Sequence, residues 1–201
     1  MRTVVALHAL ALVLVAMATS AAHAAGPVEP VDLLLEDRSG AAHPLAEHRG
    51  RIVVLDFWAT WCAPCVKALP ELADLHERFL DRNVDVIAVS LDEPESWDEA
   101  AGLLEREAPG VTLRVGASMD DVARLTGSGS IPAMVIVDDD GSIVSRIAGP
   151  FDPEELSSLL DWLTGDREEP RPGHPHDETG HEHQQEKVPE ASREGGSKVP
   201  S

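Results

Sequence analysis

Residues 52–65 read Ile52-Val53-Val54-Leu55-Asp56-Phe57-Trp58-Ala59-Thr60-Trp61-Cys62-Ala63-Pro64-Cys65. Apart from Asp56, the first seven are apolar and rich in β-branched side chains, the pattern of a strand buried on both faces. The last four hold two cysteines about one helical turn apart. Pro64 between them suits the first turn of a helix, where its missing N–H costs nothing. A buried strand therefore runs into a helix, and Cys62 falls at the junction. There, unpaired backbone N–H groups and the positive end of the helix dipole stabilise a thiolate. In such Cys-x-x-Cys sites the first thiol's pKa falls from about 8.5 to somewhere between roughly 3.5 and 7.5. Cys65, one turn further on, is close enough to attack a mixed disulfide made by Cys62.

The chain has only these two cysteines among its 201 residues. A haem-attachment site needs a histidine after the second cysteine, and Val66 stands there. A structural zinc site needs four ligands; there is no second Cys-x-x-Cys, and His43, His48 and His76 show no ligand spacing. No metal and no cofactor are expected. An inert structural disulfide remains the alternative to redox chemistry, although one close pair rarely staples a domain.

Outward from this stretch the chain alternates strand-like and helix-like segments. Before it, Val31 to Leu35 and His43 to Leu45 suggest two short strands joined by the turn Asp37-Arg38-Ser39-Gly40. After it, Pro64 to about Arg82 has helical apolar spacing, which Pro70 is expected to kink or restart. Val84 to Leu91 reads as a second buried strand, Glu95 to Glu107 as an acidic helix, and Val111 to Val115 as a third strand. Met119 to Leu125 is a short helix stopped by Gly127. Ala133 to Val137 and Ile143 to Ile147 form a hairpin about Asp139-Asp140-Gly141. A last helix spans Pro153 to Leu163, with Asp152 as N-cap and Glu155 completing a variant capping box. Strand–helix–strand units followed by a hairpin and a helix imply a mixed sheet with helices on both faces.

Both ends differ from this middle. Residues 1–24 carry Arg2, an apolar run from Val4 to Met17, and small residues ending Ala22-His23-Ala24, the order of a secretory signal cleaved near Ala24. The alternative is an uncleaved membrane anchor, but the run is shorter than the roughly 20 residues a spanning helix needs. Residues 166–201 are mostly Pro, Gly, Glu, His and Ser, too poor in apolar residues to offset the entropy of ordering, so a disordered acidic tail is expected. Its His174, His176, His181 and His183 suggest copper or zinc binding only weakly. Residues 25–165, about 140 of them, suffice for one domain without disulfide staples. The formal charge of −20 argues against nucleic acid or an anionic membrane as partner.

The segment Asp56 to Cys65 resembles the active-site signature of thioredoxins. With Leu55 through Leu72, the Gly40 hairpin and Arg49-Gly50-Arg51-Ile52 before it, the chain is similar to the exported TlpA/ResA-type branch from about Val31 to Leu163. The resemblance implies a thioredoxin-like three-layer α/β/α fold with a mixed central sheet and an N-terminal β-hairpin. It implies that Cys62 attacks a substrate disulfide, Cys65 resolves, and Asp56 relays the proton of Cys65. Trp61, Ala63, Pro64, Ile131 and Pro132 would support the site or hold substrate, with Pro132 the cis-proline facing the redox pair. Pro70 and Gly149 also match the pattern. Two positions depart from it: Ala88 stands where thioredoxins often carry a buried lysine, and Asp56 stands where many TlpA/ResA-type proteins are neutral. By the same resemblance, the activity is reduction of disulfides in exported proteins, as in cytochrome c or copper-site assembly. A membrane thiol transporter would supply electrons to a monomer in the periplasm or cell exterior. A general disulfide oxidant or isomerase, and a copper chaperone using the thiolates and the histidine-rich tail, are the alternatives.

Overall fold

The computed structural model describes residues 30–165 and Pro172. The leader assigned to residues 1–24 and, apart from Pro172, the tail assigned to 166–201 lie outside the described residues. A small antiparallel sheet comes first, made of β1 (Leu34–Glu36) and β2 (Ala42–Pro44). Its turn is held by Asp37, whose carboxylate accepts from the N–H groups of Ser39 at 2.7 Å and Ala41 at 3.2 Å. Gly40 completes the turn at φ 80°, where a side chain would be strained.

The central sheet is built around β3 (Ile52–Trp58), buried at every one of its positions. It pairs in parallel with β4 (Val84–Ser90), and α1 (Ala63–Phe79) makes the crossover that a parallel pair requires. β4 continues in parallel to the edge strand β5 (Thr112–Arg114). On its other side β3 pairs antiparallel with β6 (Ala133–Val137), which turns into β7 (Ile143–Ala148). The order is β5-β4-β3-β6-β7.

Alternation along β3 splits the core into two layers. Val54 and Trp58 pack with Leu69, Leu72 and Phe79 of α1, with Leu104 of α2 (Trp97–Glu107) and with Leu160 of α4 (Pro153–Thr164). Leu55 and Phe57 face the other way, against Leu35 of the hairpin and Val122 and Leu125 of α3 (Met119–Thr126). This is the three-layer thioredoxin-like arrangement with a mixed sheet.

Three local expectations are modified. α1 does not restart at Pro70 but runs on to Phe79. Pro70 is exposed, while Leu69, Leu72, Leu75 and Phe79 anchor the helix to the sheet, so packing outweighs one missing backbone bond. The acidic helix starts two residues late, at Trp97, after a 3₁₀ turn over Pro94–Ser96. Asp152 caps α4 through the N–H groups of Glu154 and Glu155, but the reciprocal capping box forms on α3, between Ser118 and Asp121. Gly127, at φ 76°, ends that helix in the left-handed conformation.

Candidate active site

Cys62 and Cys65 form a disulfide with an S–S length of 2.06 Å and Cα atoms 5.3 Å apart. Cys62 is the N-cap of α1: its sulfur accepts from the Cys65 N–H at 3.4 Å, and its carbonyl accepts the first helical bond, from Val66, at 3.0 Å. The sulfur that would become a thiolate on reduction is thus in place before the helix's free N–H groups. Cys62 is 6% and Cys65 2% exposed, whereas Trp61 is 66% exposed. A partner approaching the disulfide therefore meets Trp61 and the exposed first-turn residues Ala63 and Pro64 before the two largely covered cysteines.

Asp56 alternates with Val54 and Trp58, which puts its side chain on the α1 side of the sheet, in the layer that contains both cysteines. Its partners in the neighbouring strands are Ala88 and Met134, whose side chains offer it neither charge nor donor. Burial alone pushes its carboxyl up to about 7. An acid with that affinity exchanges a proton readily near neutral pH.

The Ile131–Pro132 peptide bond is cis. Pro132 immediately precedes Ala133, which pairs with Phe57, so it lies at the end of β3 from which the Cys62 loop departs. Its carbonyl accepts from Gly149 at 2.9 Å, and Gly149 supplies the φ of 98° at that point. Ile131 is partly buried against both core layers. Trp61, Cys62, Cys65 and Pro132 are thereby gathered at one end of the sheet, with Asp56 inside it.

The histidines within the domain are elsewhere. His43 pairs with Asp37 at 3.3 Å, and His48 with Asp85 at 2.6 Å at the opposite end of β3. Among the described residues, the grouping with donors close enough for a metal ion is Asp138, Asp139 and Asp140. It lies in the β6–β7 turn, also at the far end from the disulfide.

One buried acid beside this loop was not singled out by sequence reasoning. Asp92, just beyond β4, is 7% exposed and takes hydrogen bonds from Thr60 Oγ1 at 2.6 Å, Thr60 N–H at 3.0 Å and Ser90 Oγ at 2.7 Å. Its carbonyl accepts from the Trp97 indole at 2.9 Å. Beside it a groove of about 390 Å³ opens between Trp61, Leu91, Glu93, Trp97, Ala117 and Met119.

Residues 30–146 match the family model described as the AhpC/TSA family. The chain belongs to that family. Within it, the chain is 31% identical to the thiol-disulfide oxidoreductase ResA of Geobacillus thermodenitrificans, over 70% of this chain and 78% of that one. To the ResA of Bacillus cereus it is 27% identical, over 68% and 77%. A solved structure from Chlorobium tepidum, described as a DsbE thiol:disulfide interchange protein, superposes with a TM-score of 0.58 at 26% identity, covering 68% of this chain and 96% of that one. The pneumococcal exposed lipoprotein thioredoxin Etrx1 shares the fold, with a TM-score of 0.56 at 23% identity and coverage of 66% and 100%. AhpC/TSA membership, ResA relatives and the Cys62–Cys65 pair together make this chain a thiol–disulfide oxidoreductase of the thioredoxin superfamily.

Proposed function

We propose that the chain is exported and reduces disulfides in other exported proteins, as in the assembly of cytochrome c or copper sites, and that a membrane thiol transporter renews its electrons. The observation that carries this reading is the pairing of a cysteine at the helix N-cap with a buried, cation-free Asp56 on the same side of the sheet. The first favours an attacking thiolate at Cys62. The second is a base of near-neutral affinity for the thiol that must resolve. Export is supported by the leader pattern of residues 1–24; among the described residues no helix is long and apolar enough to cross a membrane.

The cycle follows from these roles. Reduced Cys62, as thiolate, attacks one sulfur of a substrate disulfide; the S–S bond breaks and the other substrate sulfur leaves as thiolate and takes up a proton. Cys65 gives its proton to Asp56 and attacks the Cys62 sulfur, which releases the second substrate thiolate. Two electrons have passed to the substrate, and the chain holds the Cys62–Cys65 disulfide. A dithiol donor on the membrane restores the chain in two exchanges: one donor thiolate attacks the Cys62 sulfur and releases Cys65, then the second donor thiolate attacks the first donor sulfur and releases Cys62, so that the donor ends as a disulfide.

Equilibration with a glutathione or dithiothreitol series tests the direction. A reduction potential near thioredoxin's roughly −270 mV supports the reductant, and one above the roughly −180 mV of an isomerase assigns the chain to disulfide formation instead. Copper titration of the reduced chain, with and without residues 166–201, checks the copper-chaperone alternative.

A further inference from the structure

β3 ends at Trp58, whose carbonyl accepts from Leu91 at 2.9 Å. Between that bond and the N-cap lie only Ala59, Thr60 and Trp61, closed into a turn by the Cys62 N–H donating to the Ala59 carbonyl at 3.1 Å. Nothing in the sheet ladder holds Thr60. Asp92 does, at both its backbone N–H and its hydroxyl. Asp92 is in turn fixed from its own side: Ser90 Oγ donates to its carboxylate, and its N–H donates back to Ser90 Oγ at 3.1 Å. Its carbonyl also anchors Trp97, the first residue of α2. One buried carboxylate thus ties the residue two positions before Cys62 to the end of β4, and the same residue carries the opposite wall of the groove beside Trp61.

We infer that Asp92 is a positioning residue for the disulfide chemistry, holding Thr60 so that Cys62 stays at the N-cap and Trp61 and Trp97 stay apart as the two walls of the substrate groove. It acts through Thr60 and not on the reacting sulfurs. A misplacement of about 1 Å at the reacting group can cost on the order of a hundredfold in rate, so the bonds to the N–H and hydroxyl of Thr60 are enough to matter. The inference rests on Cys62 being the attacking thiol.

The test uses the full, reduced chain and two readouts: the pH midpoint of Cys62 alkylation by iodoacetamide, with the labelled site mapped, and kcat and KM for insulin reduction. Asp56 and Glu93, the other acids of this region, are unchanged in every variant. Asp92→Ala removes the acceptor from Thr60 and should raise the alkylation midpoint by about half a pH unit, as N-cap geometry loosens. It should also lower kcat/KM about tenfold with a raised KM. Asp92→Asn keeps an oxygen for the Thr60 N–H and should remain near the parent in both. If Asp92 acted through its charge, Ala and Asn would shift the midpoint alike and downward, which overturns positioning. So does a folded Asp92→Ala protein with parent midpoint and parent kcat/KM. Should Asp92→Ala lack a cooperative thermal transition, Thr60→Val carries the test, because it loses only the hydroxyl bond. It should move both readouts in the same direction as expected for Asp92→Ala, while Thr60→Ser stays at parent; equal behaviour of Val and Ser overturns the role. Cys65 labelled before Cys62 in the parent overturns the premise as well, and is told apart from the other outcomes by the mapped site.

Discussion

Asp56 carries a cost that depends on pH. Burial holds its folded pKa at about 7, above the ordinary aspartate value of 3.8. Below about pH 4 the carboxyl is protonated in folded and unfolded chains alike and contributes nothing. Between pH 4 and 7 only the unfolded chain ionises, so folding loses stability, and above 7 the loss is constant at roughly 4 kcal/mol. Asp56→Asn removes that cost but leaves an unpaired buried amide worth about 1–3 kcal/mol. Urea denaturation of the oxidised variant should therefore show it no more stable than the parent at pH 4 and more stable by about 1–3 kcal/mol at pH 8. A difference that does not change with pH removes the buried-acid argument. The same substitution should slow insulin reduction, because Cys65 loses its proton acceptor. Trapping experiments address the neighbouring residues. With Cys62 at the N-cap edge and Cys65 2% exposed, Cys65→Ser should accumulate mixed disulfides with substrate and Cys62→Ser should accumulate few. Equal trapping by both contradicts the order of attack.

Helices and turns show most clearly what local sequence can and cannot specify. The Ser118 hydroxyl accepts from the Asp121 N–H at 3.2 Å and the Asp121 carboxylate accepts from the Ser118 N–H at 3.0 Å, so both ends of the box are made. Ser118→Ala should cost about 1 kcal/mol in chemical denaturation; no loss means the box is dispensable. Strand β3, helix α1 and the β6–β7 hairpin were legible because each has a local signal: an unbroken apolar run, a proline in the first turn, an Asp-Gly turn. The box on α3 carried its signal too, with Asp121 in the place where Glu is the usual partner. Pro70 read as a break because propensity is local, whereas the four apolar residues that hold α1 to the sheet act through tertiary contact. Asp92 had no local signal at all. Its role depends on Thr60, a residue 32 positions away, which becomes its neighbour only when β3 and β4 pair. The cysteine pair could be read from the sequence, but the brace behind it could not.

At the scale of the molecule, the apolar residues that make the core among the described residues end at Leu163, in α4. Deleting everything after Gly165 should leave the melting temperature and insulin reduction nearly unchanged, and a large loss of either would show that the tail sequence contributes to the domain. The sheet order has a consequence for how the molecule comes into being. β3 lies in the middle, with one neighbour, β4, encoded shortly after it and the other, β6, encoded much later. A ribosome moving from the N-terminus delivers Cys62, Cys65 and the whole of β3 well before Ala133 to Val137 exist. Until they arrive, one side of a strand that is apolar but for Asp56 presents open backbone N–H and C=O groups, the kind of edge that recruits other chains. The newborn polypeptide thus has its reactive thiols before it has the architecture that shelters them, and needs an escort or rapid completion during that interval.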